Sequence, residues 1–241
     1  MRVVILGCGT GVGKTRLSVA LLRGLTSRGL PALGLKPIES GIERAAESAG
    51  APPGSDAAAL ALASSLRAGV SHPLYALRDP VSPHLAARSA GTQIDVSRVK
   101  AWVIEAETSV TPLVPSHSAL WTIVETAGGV FSPLAAGIAN FELALALEPA
   151  TWVLVAADAL GVLHDVSSTL KAMRACGREP DHLVLSGARE PDASTGSNAT
   201  ELAALGIATP SAVLARNDDR GVTSLVDRLL SDEARSAAEA R

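Results

Sequence analysis

Residues 7–15 read GCGTGVGKT, a glycine-rich stretch that follows the apolar run VVIL and precedes a sequence of helical period. Glycines at such a turn let backbone N–H groups point at phosphate oxygens, and the start of the next helix adds a positive dipole end. Lys14 would reach the outer phosphates, and the hydroxyl of Thr15 would bind Mg²⁺. The stretch therefore predicts a phosphate cradle for a nucleotide, formed by Gly11, Val12, Gly13, Lys14, Thr15 and Arg16.

The cradle departs from the eight-residue P-loop pattern at one position. That pattern requires glycine at position 8, where the chain has Cys8, and the nearest glycine is Gly7. The loop is therefore a lengthened variant. A glycine-rich turn without a ligand would explain the glycines, but not Lys14 followed directly by Thr15.

Three charged residues at the ends of predicted elements would complete the site. Lys36 ends the second predicted strand, where it is either a second cation near the transferred phosphoryl group or an ordinary solvated lysine. Asp56 opens the stretch DAAALALASSL, where capping of a helix is the commoner reason for an aspartate. Glu125 ends the strand WTIVE, where a metal-binding carboxylate belongs. Thr15, Asp56 and Glu125 are thus the predicted Mg²⁺ ligands.

The histidines add little to this picture. His84 lies in VSPHLAARS, predicted to be a loop before a run of small residues, and a lone histidine is more often a satisfied residue than a functional one. The other four histidines form no metal-binding spacing, and the sequence contains no nucleophile–base pattern. The predicted chemistry is phosphoryl transfer.

Six short apolar runs alternate with longer stretches of helical period. Nearly continuous apolar runs are typical of strands in a parallel sheet that is covered on both faces. The alternation predicts an α/β fold of the P-loop NTPase type, with a mostly parallel sheet flanked by helices on both faces. The predicted strands are Val3–Gly7, Ala32–Lys36, Trp121–Thr126, Trp152–Ala157, His182–Leu185 and Ala212–Ala215, and the predicted helices span 16–29, 56–69, 94–108 and 165–177.

Length and composition limit the organisation and the partners. Residues 1–231 are predicted to form one domain, and residues 232–241 a polar tail that is either a last helix or a frayed end. A formal charge of −3 gives no reason to expect nucleic acid or an anionic membrane as a partner. Two distant cysteines and the lack of a membrane-spanning apolar run favour a cytoplasmic protein that acts on small molecules.

Five sequence elements, in order, resemble the dethiobiotin synthetase family of P-loop ligases. The family patterns GTDTGVGKT, KPxxSG, SDALAL, SPH and EGAGGxxxPL are similar to residues 7–15, 36–41, 55–60, 82–84 and 125–134. A looser likeness continues through WVLVAADALGVLHDVSSTL. Each element alone is modest evidence, whereas their order is specific.

The resemblance implies ATP- and Mg²⁺-dependent closure of a cyclic urea from 7,8-diaminononanoate and CO₂ by a homodimer. In that family one amine captures CO₂ as a carbamate, which attacks the γ-phosphate, and the second amine then displaces phosphate. Lys14 and Lys36 would offset the charges of the two anionic reactants. The resemblance also implies a catalytic role for Thr10, substrate contacts by Ser40 and Gly129, nucleotide contacts by Asp56, Glu125, Thr126, Ala127 and Gly128, and a hold on the partner's substrate by residues 161–164.

The chain departs from the family where the nucleoside base would lie. Ser186 and Gly187 replace the Asn-Asp pair that reads adenine, and Asn217 is the nearest substitute for a Glu-Ile-Pro near the last strand. A Ser-Gly pair cannot donate to and accept from a purine edge as a carboxamide does. These changes predict a relaxed preference among nucleoside triphosphates.

A different class of protein, switch ATPases similar to MinD and ParA, shares the predicted fold. Those proteins usually carry a second lysine in the loop, in the form KGGxGKT, and often a membrane-binding or DNA-binding segment. Residues 7–15 lack that lysine, and the tail DEARSAAEAR is not a basic amphipathic helix. The ligase reading is therefore favoured over this alternative.

Overall fold

The computed structural model describes residues 1–42, 52–67, 72–216 and 220–239. A six-stranded parallel sheet lies at its centre, with the strand order β10-β9-β8-β1-β5-β2, and two small two-stranded sheets pair β3 with β4 and β6 with β7. The strands are β1 (Arg2–Gly7), β2 (Ala32–Leu35), β3 (Ile38–Ser40), β4 (Tyr75–Leu77), β5 (Trp121–Glu125), β6 (Pro133–Ala135), β7 (Ile138–Ala139), β8 (Thr151–Asp158), β9 (His182–Gly187) and β10 (Ala212–Leu214).

Helices cover both faces of the central sheet. They are α1 (Lys14–Thr26), α2 (Asp56–Ala63), α3 (Pro83–Ser89), α4 (Val96–Val110), α5 (Asn140–Ala146), α6 (Val162–Ala175), α7 (Asn198–Ala204) and α8 (Arg220–Glu239). A short 3₁₀ helix, Thr111–Leu113, follows α4. No helix in these described ranges is both long and apolar enough to cross a bilayer.

Alternation along the strands divides the core into two layers. In β1, Val3 and Ile5 belong to the layer that contains the buried residues of α1, α2 and α8, whereas Val4 and Leu6 belong to the layer that contains those of α3 to α7. Successive side chains of a strand point to opposite faces, so an apolar run buries both faces at once. The arrangement confirms the predicted P-loop type α/β fold.

All six predicted strands form the central sheet, with ends that differ by at most two residues from the prediction. The four strands of the small sheets are not among the predicted ones. The prediction of a loop at Pro83 and His84 is wrong: they begin α3, because proline fits the first helical position, where its missing N–H leaves no hydrogen bond unmade. The segment 232–239 continues α8, so this part of the predicted tail is helical, as the first of the two predicted alternatives has it.

Candidate active site

The glycine-rich loop joins the end of β1 to the start of α1, as predicted. Gly11 and Gly13 have φ angles of 74° and 98°, which only glycine adopts without strain. A Cβ on Gly13 would also lie 2.2 Å from the hydroxyl of Ser186, so the end of β9 packs directly on the loop. The ammonium of Lys14 lies over the loop and donates to the carbonyl of Gly9 at 3.0 Å.

Glu125 lies at the centre of the charged residues. It ends β5, between β1 and β2 in the sheet, and is 0% exposed. Its Oε1 accepts hydrogen bonds from Thr15 Oγ1 at 2.9 Å and from Lys36 Nζ at 2.6 Å, and its Oε2 accepts one from Ser18 Oγ at 2.7 Å. Parallel strands end at the same edge, which is why residues far apart in sequence meet here. Ser18 is not among the residues that the sequence predicted.

Lys36 joins the two predicted metal-binding carboxylates. Its Nζ lies 2.6 Å from Glu125 and 3.2 Å from Asp56 Oδ2, and its side chain is 4% exposed, so the alternative of a solvated lysine is wrong. Burial lowers the pKa of Lys36, but the carboxylates of Glu125 and Asp56 outweigh burial and leave the pKa raised. Lys36 is therefore a permanent cation in this position.

Lys14 is a weaker base than Lys36. Burial lowers the pKa of Lys14 to about 8, and the neighbouring charge of Lys36 adds to this effect, while Glu125 and Asp56 offset it only in part. A phosphate group beside Lys14 would supply a compensating negative charge. The electrostatics of the cradle thus favour the binding of an anion.

Asp56 does not cap α2, contrary to the prediction. The N-cap is Ser55, whose hydroxyl accepts from the N–H of Ala58 at 3.1 Å. The carboxylate of Glu39 accepts from the N–H groups of Asp56 and Ala57 at 2.7 and 3.0 Å. Ser55 and Glu39 therefore accept the hydrogen bonds of the first N–H groups of α2, and the carboxylate of Asp56 remains available to pair with Lys36. The sequence did not mark Glu39, because its partners lie seventeen and eighteen residues further along the chain.

A cavity of about 320 Å³ opens among these groups. Of the residues between 10 and 129 that the sequence predicts for the site, Val12, Thr126 and Gly129 do not line it. Val12 packs against the loop itself, Thr126 donates to the carbonyl of Ile5, and Gly129 donates to Ser132. The lining residues are Thr10, Gly11, Gly13, Lys14, Thr15, Arg16, Lys36, Glu39, Ser40, Asp56, Glu125, Ala127 and Gly128.

Comparison with known proteins identifies the family. A family described as "AAA domain" matches residues 1–220. The ATP-dependent dethiobiotin synthetase BioD of Anaeromyxobacter dehalogenans (strain 2CP-C) is 36% identical over 216 residues, which is 87% of each chain. The BioD protein of Baumannia cicadellinicola is 33% identical over 180 residues, 73% of each chain. The chain belongs to the dethiobiotin synthetase family.

This family membership makes the chain an enzyme, a ligase that forms C–N bonds. Two solved structures share the fold at low sequence identity. A chain of the MinC:MinD cell division complex of Aquifex aeolicus matches with a TM-score of 0.51 and 12% identity, over 95% of both chains. FtsY of Elizabethkingia anophelis with GDP matches with a TM-score of 0.54 and 13% identity, over 94% of this chain and 62% of that chain. These two likenesses show the fold alone, so the switch-ATPase alternative is not favoured.

The residues that depart from the dethiobiotin synthetase pattern lie at the other end of the sheet edge. Arg16, in the first turn of α1, donates to the carbonyls of Leu214 and Ala215 and lies 3.4 Å from the hydroxyl of Ser186. A Cβ on Gly187 would lie 3.0 Å from the carbonyl of Leu214, so this region is closely packed. Asn217 lies outside the described residues.

The oxygen donors of the site suit Mg²⁺ better than a transition metal. The described part of the chain contains no cluster of three or more histidine, cysteine, aspartate or glutamate side chains. One hydroxyl, on Thr15, and two carboxylates, on Asp56 and Glu125, lie close to Lys36 instead. Mg²⁺ is commonly held by such a set together with phosphate oxygens and water. His84 does not line this cavity, and its Nδ1 lies 3.1 Å from the hydroxyl of Ser82.

Proposed function

We propose that the protein is a dethiobiotin synthetase that converts 7,8-diaminononanoate, CO₂ and ATP into dethiobiotin, ADP and phosphate. One amine adds to CO₂ and loses a proton, which gives a carbamate. A carbamate oxygen attacks the γ-phosphorus while ADP leaves. The second amine then attacks the carbamate carbon and loses a proton to solvent, the ring closes and phosphate leaves. The gathering of Lys14, Lys36 and Glu125 around one cavity is the observation that carries this proposal.

The two lysines have separate tasks in the proposed reaction. Lys14 lies on the glycine-rich loop and would hold the phosphates, while Lys36 would neutralise the carbamate and the transferred phosphoryl group as they approach. Thr10 and Ser40 also line the cavity and would orient the carbamate by hydrogen bonds. The attack on the γ-phosphorus itself needs no general base, because the carbamate oxygen is already anionic.

Mg²⁺ would be held by Thr15, Asp56 and Glu125, and it would supply further neutralisation of the phosphate charge. Thr15 and Lys36 both donate to the same oxygen of Glu125. Lys36 and an ion held by Glu125 would therefore share this carboxylate, so two positive charges would lie at the same end of the cavity.

We also propose that the active form is a homodimer located in the cytoplasm. Leu160, which is 86% exposed, precedes α6, and Gly161 at the start of this helix has a φ angle of 100°. An exposed leucine beside a helix start suits a surface that a second copy covers. Sedimentation of the protein at micromolar concentration should give twice the mass of the chain, and Leu160→Glu should give the single mass.

The direct test is to incubate the purified protein with 7,8-diaminononanoate, bicarbonate, Mg²⁺ and ATP. We expect dethiobiotin, detected by mass spectrometry, and an equal amount of phosphate. Lys100, an exposed residue of α4, offers a matched control, because Lys100→Ala removes a lysine that does not line the cavity. Phosphate release that is the same with and without the diamine would contradict the ligase and favour a switch ATPase.

A further inference from the structure

Asn140 is a buried polar residue that lies behind the cavity. It is the first residue of α5 and is 0% exposed. Its Nδ2 donates to the carbonyls of Ala127 and Gly129 at 2.6 and 2.9 Å, whereas its Oδ1 has no hydrogen-bond partner in the part of the chain described. Two carbonyl partners require an NH₂ group at this place, so the orientation of the amide is fixed.

A residue kept only for packing would not carry an unpaired buried oxygen, because such an oxygen loses its bonds to water and gains none in return. The two bonds that Asn140 does make both go to the loop after β5. This loop contributes Ala127 and Gly128 to the lining of the cavity. Asn140 therefore contacts the backbone that lines the cavity without lining the cavity itself.

The bond to Ala127 fixes the direction of the next N–H. In a trans peptide, the carbonyl of one residue and the N–H of the next point in opposite directions. Because the carbonyl of Ala127 points at the buried Asn140, the N–H of Gly128 points away from it, toward the cavity that Gly128 lines. Among the hydrogen bonds of the described residues, none has this N–H as its donor.

The bond to Gly129 fixes the loop against the cradle. The N–H of Val130, in the same peptide plane as the carbonyl of Gly129, donates to the carbonyl of Gly7 at 2.8 Å. The N–H of Gly129 donates to the hydroxyl of Ser132 at 2.8 Å. Asn140, Gly7 and Ser132 thus hold three consecutive peptide planes, from Ala127 to Val130, so the N–H of Gly128 cannot turn without breaking the bond between Asn140 and Ala127.

We propose that Asn140 is a positioning residue, which aims the N–H of Gly128 at the terminal phosphate of a bound nucleoside triphosphate. A Cβ on Gly128 would lie 2.7 Å from the hydroxyl of Ser132 and 3.7 Å from the hydroxyl of Thr10 on the glycine-rich loop, so Gly128 lies between Ser132 and the cradle. The same cavity holds Lys14, Lys36 and Glu125, which mark the end where the phosphoryl group is transferred. The inference rests on the proposed use of a nucleoside triphosphate, but not on the identity of the acceptor.

The test compares the binding of a non-hydrolysable ATP analogue and of ADP, each with Mg²⁺, by calorimetry. Asn140→Ala removes the amide, and Asn140→Asp places a carboxyl oxygen against two carbonyls. We expect both variants to bind the triphosphate analogue about 10- to 100-fold more weakly, the range for one hydrogen bond to a charged group, and ADP about as well as the parent protein.

Asn198 provides the matched control. It too is the first residue of a short helix, α7, is 4% exposed, and donates through Nδ2 to a buried oxygen, Asp158 Oδ1, at 2.7 Å. Asn198→Ala should lower the melting temperature without changing the ratio of the two affinities. Equal losses for triphosphate and diphosphate in the Asn140 variants, no loss at all, or the same altered ratio in Asn198→Ala would each overturn the proposal.

A second measurement uses the unmodified protein and does not depend on how well the variants fold. In a ¹H–¹⁵N spectrum, the Gly128 amide proton should move downfield when the triphosphate analogue binds and much less with ADP. An amide that does not respond to the third phosphate would overturn the proposal. Both readouts need only nucleotide binding, so they remain decisive even if the protein forms no dethiobiotin.

Discussion

The two ends of the sheet edge on which the cavity lies differ in chemistry. The lysine half, at β1, β5 and β2, contains Lys14, Lys36, Asp56 and Glu125, and in it Lys36 pairs with both carboxylates. The serine half, at β9 and β10, contains Ser186 and Gly187. Beside them, Arg16 donates to the backbone carbonyl of Leu214 and lies 3.4 Å from the hydroxyl of Ser186. The lysine half keeps most of the family pattern, with Cys8 and Gly9 in place of its Thr-Asp, and the serine half departs from it where the base would lie.

This difference separates two properties that a nucleotide-dependent enzyme combines. Transfer of a phosphoryl group depends on fixed charges, which the lysine half provides. The choice of base depends on neutral donors and acceptors, and in the serine half the side chain of Ser186 is occupied in packing on Gly13. The half that performs the chemistry can therefore be kept while the half that selects the nucleotide varies.

The largest effect should follow from removing Lys14. We expect Lys14→Ala to lower kcat/KM by more than about 10³-fold, the lower end of the range for a cation on a transferred phosphoryl group. The measurement is phosphate release in the presence of the diamine, with Lys100→Ala as control. Retention of a tenth or more of the parent activity would contradict the proposed role of Lys14 in phosphoryl transfer.

Removal of Lys36 should have the next largest effect. Lys36→Ala should lower kcat by at least about 10²-fold, the scale for one positioned charge at a transition state. It also leaves Glu125 buried without its cation, which costs about 3 kcal/mol of folding free energy. Assays well below the melting temperature of the variant separate these effects. An unchanged kcat there would show that Lys36 is structural only.

The sequence sufficed for the central sheet and most of the lysine half. Apolar runs marked the six strands, and the GVGKT motif marked the cradle. Glu125 stands out in the sequence because burying a carboxylate at the end of an apolar strand is costly unless it binds a cation. These signals are local, and the meeting of Lys36 with Glu125 then follows from the parallel order of strands.

The residues that the sequence did not reveal all act through contacts distant along the chain. Ser18 reads as one more small residue of α1, yet its hydroxyl donates to Glu125. Glu39 caps a helix that begins seventeen residues later, and Asn140 bonds to a loop eleven to thirteen residues before it. Neither spacing nor composition marks such residues, because their partners are fixed only once the sheet has formed.

In the serine half, the nucleotide itself can be varied. We expect the dissociation constants of ATP, CTP and GTP, each with Mg²⁺, to differ by less than about 10-fold, since the loss of one specific hydrogen bond changes affinity by about that factor. Ser186, Gly187 and residues 214–216 offer no carboxamide to distinguish the bases. Calorimetry measures all three. Binding of ATP but not of CTP or GTP would show that the serine half does distinguish the bases.

The smallest effect concerns the protonation of Lys14. Its pKa of about 8 in the free protein means that part of the protein lacks this charge near neutrality. Bound phosphates favour the ammonium form, so binding should take up protons, and affinity should fall about twofold from pH 7 to pH 8 and more steeply above. Calorimetry in two buffers of different ionisation enthalpy measures the uptake. Lys14→Arg keeps the charge but does not titrate in this range, so it should bind without that uptake; an equal uptake in both proteins would assign the proton to another group.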